Sequence, residues 1–366
     1  MSVKNILIII DSLAASGGEV ACLNLAKGML KLGFKVHVLY FYDKVELVVD
    51  SRVHTHLIDI QKYRILPKKI RYQVFAKKVD KYIQKNIGDV TLAISNLNQS
   101  DLIMSYSQIK NLAYVIHSTF SYANNMDINS QTLKPWLTPG HRDYNTIMFY
   151  QRIYSKHPCI CVSKGVEEDF RKYFGDVTDI RTIYNAFDRD SIKLLADKFI
   201  PKESEYIIHV GSFYKVKAHD DLLKAYAKTS KKYSLMLIGK GKLLEEIKKL
   251  AYELGIEDKV LFMGFKSNPF PFIKNAKGLV LSSHYEGLGR VLVEAQVLEI
   301  PTISTDCPSG PREILPEKCL TPTNDIDSLS KKIEDLMQNP ENYKSNFNEE
   351  LLPENIARQY LEFMNV

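Results

Sequence analysis

The 366-residue chain has no apolar run near the roughly 18 residues that a membrane-spanning helix needs. Its apolar N-terminal stretch, Ile6 to Ile10, stops at Asp11, too soon for the apolar core of a secretory signal. Both absences lead to an expected location on the cytoplasmic side. Cysteine is scarce and odd in number. The five residues, Cys22, Cys159, Cys161, Cys307 and Cys319, lie in or beside apolar segments, which argues against a disulfide framework and fits reduced, partly buried thiols. Cys159 and Cys161 lie two apart with no second ligand pair, so no zinc site is expected there. Only 17 glycines and 14 prolines exclude a collagen-like or disordered chain, and 45% hydrophobic residues supply core enough for two domains.

Charge of one sign is barely in excess, at a net +6, yet it is concentrated. Between Gln61 and Asn86 stand nine Lys or Arg (62, 64, 68, 69, 71, 77, 78, 81, 85) against the single acid Asp80, so the rest of the chain is net negative. A general nucleic-acid-binding coat is thereby excluded. Ile70, Val74, Phe75, Val79, Tyr82 and Ile83 recur at helical spacing through the same stretch, giving a basic amphipathic helix. Two readings are open: its apolar stripe faces its own domain, or the segment 62–85 docks on the anionic inner face of a membrane.

Short apolar strands alternate with helical patterns in two series, which predicts parallel sheets covered on both faces. The first series opens with a strand at Asn5–Ile10, a glycine-bearing loop at Ser16–Glu19, a helix to about Leu32 and a strand at Phe34–Tyr42. Further strands are expected at Leu112–Ile116, Cys159–Val162 and Arg181–Tyr184. The second series has strands at Tyr206–Val210, Ser234–Ile238, Val260–Met263, Leu279–Ser282 and Thr302–Ser304, with helices from about Asp220, Lys242 and Arg290. The polar segment Asp190–Ser204, which contains Pro201, is the expected linker. The resulting division is a domain over 1–189, a second over 190–352, and a terminal helix over 353–366 that would pack back on the first. Ligands of such open sheets bind at the carboxyl ends of the strands.

In the segment SSHYEGLGRVLVEAQ a strand ends, Glu286 follows, the chain continues through Gly287, Leu288 and Gly289, and a helix that carries Glu294 starts at Arg290. Backbone N–H groups at such a helix start suit a diphosphate, and Glu294 suits ribose hydroxyls. A purely capping role for Glu286 fits the same pattern.

With these residues the chain resembles the retaining glycosyltransferases of family 4, whose GT-B fold sets two Rossmann-like domains face to face across a cleft. Their signature is a pair of glutamates separated by seven residues, matched by Glu286 and Glu294, and continues into PTISTDCPSGPREIL, wording similar to a bacterial subgroup that uses UDP-sugars. The resemblance implies that Glu286 lies against the donor sugar, that Glu294 binds the ribose, and that Glu313 supports the loop. In HVGSFYKVKAHDDLLKAYA, Gly211 and Ser212 stand where relatives read V-G-R, and Lys217 matches the lysine that stabilises the departing diphosphate. Ser212 is the departure. A serine offers no fixed cationic fork, which leaves Lys215 or Arg290 to substitute. SGGEVACLNLAKGML resembles the G-G-x-E loop, with Gly17 and Gly18 facing the cleft and Glu19 as its acid. His117, in YVIHSTFS, resembles the cleft histidine beside the donor sugar, although a satisfied structural histidine fits as well. Asn185 and Asp188, in IYNAFD, match the interdomain stretch.

The resemblance implies no bound metal or cofactor, and the acid pairs Asp325 with Asp327 and Asp188 with Asp190 are not expected to hold magnesium. The expected partners are a nucleotide sugar, most simply UDP-linked, and a glycan or glycolipid acceptor such as lipopolysaccharide or a lipid-linked oligosaccharide. Catalysis is expected from Lys217, Glu286 and His117. A nucleotide-sugar epimerase or phosphorylase on the same fold, or a catalytically silent glycan-binding subunit motivated by Ser212, are the competing readings.

Overall fold

The structure, a computed structural model, describes residues 4–123 and 142–366. Two compact units divide it, one formed by Met1–Phe187 with Glu350–Val366 and the other by Asp188–Glu349.

The first unit runs β1 (Asn5–Ile10), α1 (Gly17–Lys31), β2 (Lys35–Tyr40), β3 (His54–Leu57), α2 (Lys68–Asn86), β4 (Val90–Asn96), α3 (Asn98–Met104), β5 (Leu112–Ile116), α4 (Phe120–Ala123), α5 (Arg142–Tyr154), β6 (Cys159–Cys161), α6 (Lys164–Phe174) and β7 (Ile180–Thr182). Its seven strands are all parallel in the order β3-β2-β1-β4-β5-β6-β7. Ile6 to Ile10 are wholly buried because helices cover both faces, which is why β1 is an unbroken apolar run and not an alternating one. The strand order reverses between β1 and β4, and ligands of open sheets of this kind bind at the carboxyl ends of strands beside such a reversal.

The second unit runs α7 (Arg189–Ala196), β8 (Tyr206–Val210), α8 (His219–Ala227), β9 (Ser234–Ile238), α9 (Leu244–Glu253), β10 (Val260–Gly264), α10 (Phe270–Lys274), β11 (Gly278–Leu281), α11 (Arg290–Val297), β12 (Thr302–Thr305), α12 (Pro311–Ile314), β13 (Leu320–Thr321) and α13 (Ile326–Gln338). Its six parallel strands follow β10-β9-β8-β11-β12-β13, with the reversal between β8 and β11. The chain then returns to the first unit, where α14 (Pro353–Phe363) lies along α1. The contact is close enough that a Cβ on Gly28 would sit 2.0 Å from the Pro353 carbonyl oxygen. Lys31 adds a 3.0 Å ion pair to Glu354 at the same helix pair.

Several expectations are corrected. The segment Asp190–Ser204 is not a free linker: most of α7 falls in it, capped by the Asp188 side chain, which accepts from the Ser191 N–H at 3.1 Å. Ile192 and Ala196 are buried on the α10 and α11 side, so α7 is part of the second unit. Asp188 is therefore a helix cap. Strands β3, β4 and β13 escaped the periodicity reading. In α2 the apolar stripe divides: Phe75, Val79 and Ile83 are buried in their own unit, while Ile70 and Val74 are 50% and 41% exposed. Tyr82 does neither, since its hydroxyl bonds His56 Nδ1 at 3.1 Å. The side chains of Lys68 and Lys69 lie outside the described part of this helix. All five cysteines are buried, and none is in a disulfide. Among the described residues no helix is long and apolar enough to cross a membrane.

Candidate functional site

Two clusters of the expected residues form, one at the strand-order reversal of each sheet. In the second unit the loop after β8 carries Gly211, Ser212 and Lys217, and the loop after β11 carries Glu286 to Gly289. Lys217 Nζ donates to Glu286 Oε1 at 2.6 Å, with side-chain exposures of 20% and 10%. Ser283 Oγ donates to the same oxygen at 2.6 Å, and Ser282 Oγ donates to the Lys217 carbonyl at 2.8 Å, so each loop holds the other in register. Gly211 makes room for the lysine: a Cβ there would lie 3.3 Å from Lys217 Cγ and 2.9 Å from His209 Nε2.

Arg290 opens α11 after Gly289, whose φ of +78° is the left-handed conformation glycine adopts freely. Arg290 Nη2 approaches Glu294 Oε1 at 3.4 Å, one turn along the helix. Burial pushes the Glu294 carboxyl above its ordinary pKa, and the Arg290 guanidinium draws it back down. A neighbouring loop braces this helix start. Ser309 Oγ donates to the Gly287 carbonyl at 2.8 Å, and a Cβ on Gly310 would meet the Leu288 carbonyl oxygen at 2.5 Å. Glu313 accepts from the Gly310 N–H at 3.4 Å, in keeping with a loop-supporting acid. The arrangement offers a cation, a partly buried carboxylate and the N–H groups of a helix start at the carboxyl ends of two central strands, groups that suit a diphosphate joined to a polyhydroxylated group.

Of the two side chains named to stand in for arginine, Lys215 is exposed in a 3-10 turn over Lys215–Lys217, while Arg290 is already engaged with Glu294. Ser283, Ser309 and Thr305, whose Oγ1 donates to the Ser283 carbonyl at 2.6 Å, were missed by the sequence reading. Ser283 lies only three residues before Glu286, and that spacing is the one signal that pointed to it.

In the first unit Gly17 and Gly18 begin α1, and Ser16 precedes them at its cap position. A Cβ on Gly18 would lie 3.2 Å from Leu97 Cδ2 and 3.9 Å from His117 Cγ, so the glycine loop, the end of β4 and the end of β5 converge. His117 Nε2 pairs with Asn96 Oδ1 at 2.9 Å. Asn185 and Tyr184 line the same small cavity as His117, Asn96 and Cys22, with Ile356 and Tyr360 of α14 also in its lining. Glu19 is buried beside Ser12, and its carboxyl is pushed upward first by burial and further by the Asp11 charge. Asp325 caps α13 through Ser328, and among the described residues no group of three metal-ligating side chains converges.

Comparison with known proteins follows this division of the chain. Residues 15–191 match the model described as Glycosyltransferase Family 4, and residues 190–350 match that of Glycosyl transferases group 1. The chain is 28% identical over 314 residues to the N-acetylgalactosamine-N,N'-diacetylbacillosaminyl-diphospho-undecaprenol 4-alpha-N-acetylgalactosaminyltransferase of Campylobacter jejuni, covering 84% of this chain and 82% of that protein. It is 32% identical over 163 residues to the lipopolysaccharide 1,6-galactosyltransferase of Salmonella typhimurium, covering 43% of this chain and 45% of that one. Among solved structures, Anabaena HepE in complex with UDP and glucose superposes with a TM-score of 0.69 at 16% identity, over 99% of this chain and 95% of that one. Two parallel α/β sheets of this order, and family matches that together run from residue 15 to residue 350, mean that the chain has the GT-B fold and belongs to the group 1, family 4 glycosyltransferases.

Proposed function

We propose that this glycosyltransferase moves a hexose or N-acetylhexosamine from a UDP-sugar to a hydroxyl of a bacterial surface glycan, with retention at the anomeric carbon and without a bound metal. The observation that carries the reading is the Lys217–Glu286 pair at 2.6 Å beside the Gly289–Arg290 helix start. In the proposal the diphosphate displaces Glu286 from Lys217, the ammonium and the helix N–H groups take up the charge that develops on the leaving group, and Glu286 turns to the sugar hydroxyls. Glu294 holds the ribose, and His117 is assigned to the donor sugar. The acceptor class is drawn from the Campylobacter and Salmonella relatives, which act on a diphospho-undecaprenol glycan and on lipopolysaccharide. For acceptors of that kind, the basic α2 with Ile70 and Val74 exposed supports docking of the first unit on an anionic membrane surface.

Calorimetric titration with UDP, GDP and ADP, followed by nucleotide release from the matching sugars, tests the donor. Saturable UDP binding with release from one UDP-sugar is expected, and binding of none of the three would overturn the transferase reading and favour the silent subunit that Ser212 motivates. Flotation with vesicles containing anionic lipid, against neutral vesicles, tests the docking.

A further inference from the structure

Asn96 closes β4 with its side chain buried, and its amide has three partners. Nδ2 lies 3.2 Å from the Ile94 carbonyl oxygen and 3.4 Å from that of Ile9, while Oδ1 lies 2.9 Å from His117 Nε2. Carbonyl oxygens only accept, so the NH2 end must face them. Turning the amide over would set Oδ1 against two carbonyl oxygens in a buried site, a repulsion that the one bond still available, from Nδ2 to a bare His117 Nε2, does not offset. The oxygen that remains for His117 is an acceptor, and His117 Nε2 therefore carries the hydrogen. In the neutral ring that leaves the lone pair on Nδ1, the nitrogen on the side of Gly18, 4.0 Å from where a Cβ on that residue would stand.

A second observation points the same way. Leu97, the next residue, has φ +75° and ψ 149°, a region of backbone space that is almost exclusive to glycine and is strained for a side chain that bears a Cβ. The turn made there leads straight from β4 into α3, and it leaves Asn96 under the histidine and Leu97 against Gly18. Such strain persists where surrounding structure holds it in place, and the residue before it, Asn96, is held by the three contacts of its amide.

We infer that Asn96 is a positioning residue that locks His117 in its Nε2–H tautomer. The use of that tautomer in catalysis rests on the role proposed for His117. The tautomer does not.

Long-range proton–nitrogen correlation spectra of the 15N-labelled full chain, with the His117 signal assigned by comparison with His117→Gln, read the tautomer directly. Above the pH at which the ring titrates, the expected pattern is a protonated Nε2 and a bare Nδ1 in the wild type. Asn96→Leu is expected to let the other tautomer appear. Asn96→Asp keeps an acceptor oxygen on Nε2–H, with its other oxygen protonated toward the Ile9 and Ile94 carbonyls, and is expected to retain the Nε2–H tautomer. A bare Nε2 in the wild type, or an unchanged tautomer in Asn96→Leu, overturns the inference. If Asn96→Leu does not fold, the wild-type spectrum and Asn96→Asp still decide it. Full turnover by His117→Gln with an Nε2–H wild-type ring would instead overturn the role of His117 and leave the assignment of Asn96 standing.

Discussion

Replacing Lys217 by Met keeps the length of the side chain and removes its charge. The ammonium sits 2.6 Å from Glu286 Oε1, at the carboxyl ends of β8 and β11, and in the proposed reaction it takes up charge on the leaving diphosphate. A unit charge about 4 Å from a developing phosphate charge, in surroundings with an effective dielectric near 20, is worth about 4 kcal/mol. That corresponds to roughly a thousandfold in rate, at the upper end of the 10²–10³ measured when a single charge-stabilising donor is removed. The variant is expected to release nucleotide from its UDP-sugar about a thousand times more slowly, with a melting temperature close to that of the wild type, since Glu286 keeps the Ser283 hydroxyl at 2.6 Å and is not sealed from water. Lys217→Arg, which restores the charge on a bulkier head, is expected to recover part of the loss. Nucleotide release measured under single-turnover conditions separates this from a binding defect, and turnover within about threefold of the wild type would refute the assignment of leaving-group stabilisation to Lys217.

Glu294→Gln keeps the shape of the side chain and replaces a charged acceptor with a weaker one, so UDP affinity is expected to fall roughly 10–100-fold by calorimetry, the range for losing one charge-assisted bond. Gly28→Ala sets two effects against each other: alanine is favoured in a helix by about 1 kcal/mol, but its Cβ would lie 2.0 Å from the Pro353 carbonyl and force α1 and α14 apart, typically costing about 1–3 kcal/mol. The clash is expected to win, lowering the urea midpoint of unfolding, and a raised midpoint would mean that the two helices do not pack as described. His37 lies buried between His54 and His56, and burial together with those two neighbours lowers its pKa from 6.5 to about 4. The fold therefore favours the neutral ring, and the resulting stability is complete above the unfolded value near 6.5 and is lost as pH falls toward 4. Urea midpoints between pH 7 and pH 5 are expected to drop for the wild type and to drop less for His37→Gln.

What the sequence disclosed, and what it hid, follows from how far apart the partners in each interaction lie. Strands β1, β5, β8 and β9 are buried on both faces and announce themselves as apolar runs. Strand β4 did not, because it ends in Ser95 and Asn96, and a polar strand end is tolerated only through tertiary bonds: Ser95 Oγ to Asp101 at 2.7 Å, and Asn96 to Ile9 across 87 residues of chain. Strand β3, HTHL, is an edge strand with two histidines on one face, and it reads as loop until His37 and Tyr82 supply their partners. The helix α7 was hidden by its own composition, with polar flanks and only two buried positions. At the site, the spacing of Glu286 and Glu294 survived in the sequence because one turn and one helix carry both. The bond from Lys217 to Glu286 spans 69 residues, and no window of sequence contains it. It exists because β8 and β11 are neighbours, just as the Asn96–His117 contact follows from the pairing of β4 with β5. Strand order is the fact that motif reading lacks. Once it is known, the reversals at β1/β4 and β8/β11 pick out the loops that can carry chemistry, and the residues whose roles are proposed here, Lys217 with Glu286 and Gly18 with His117, converge at those two points.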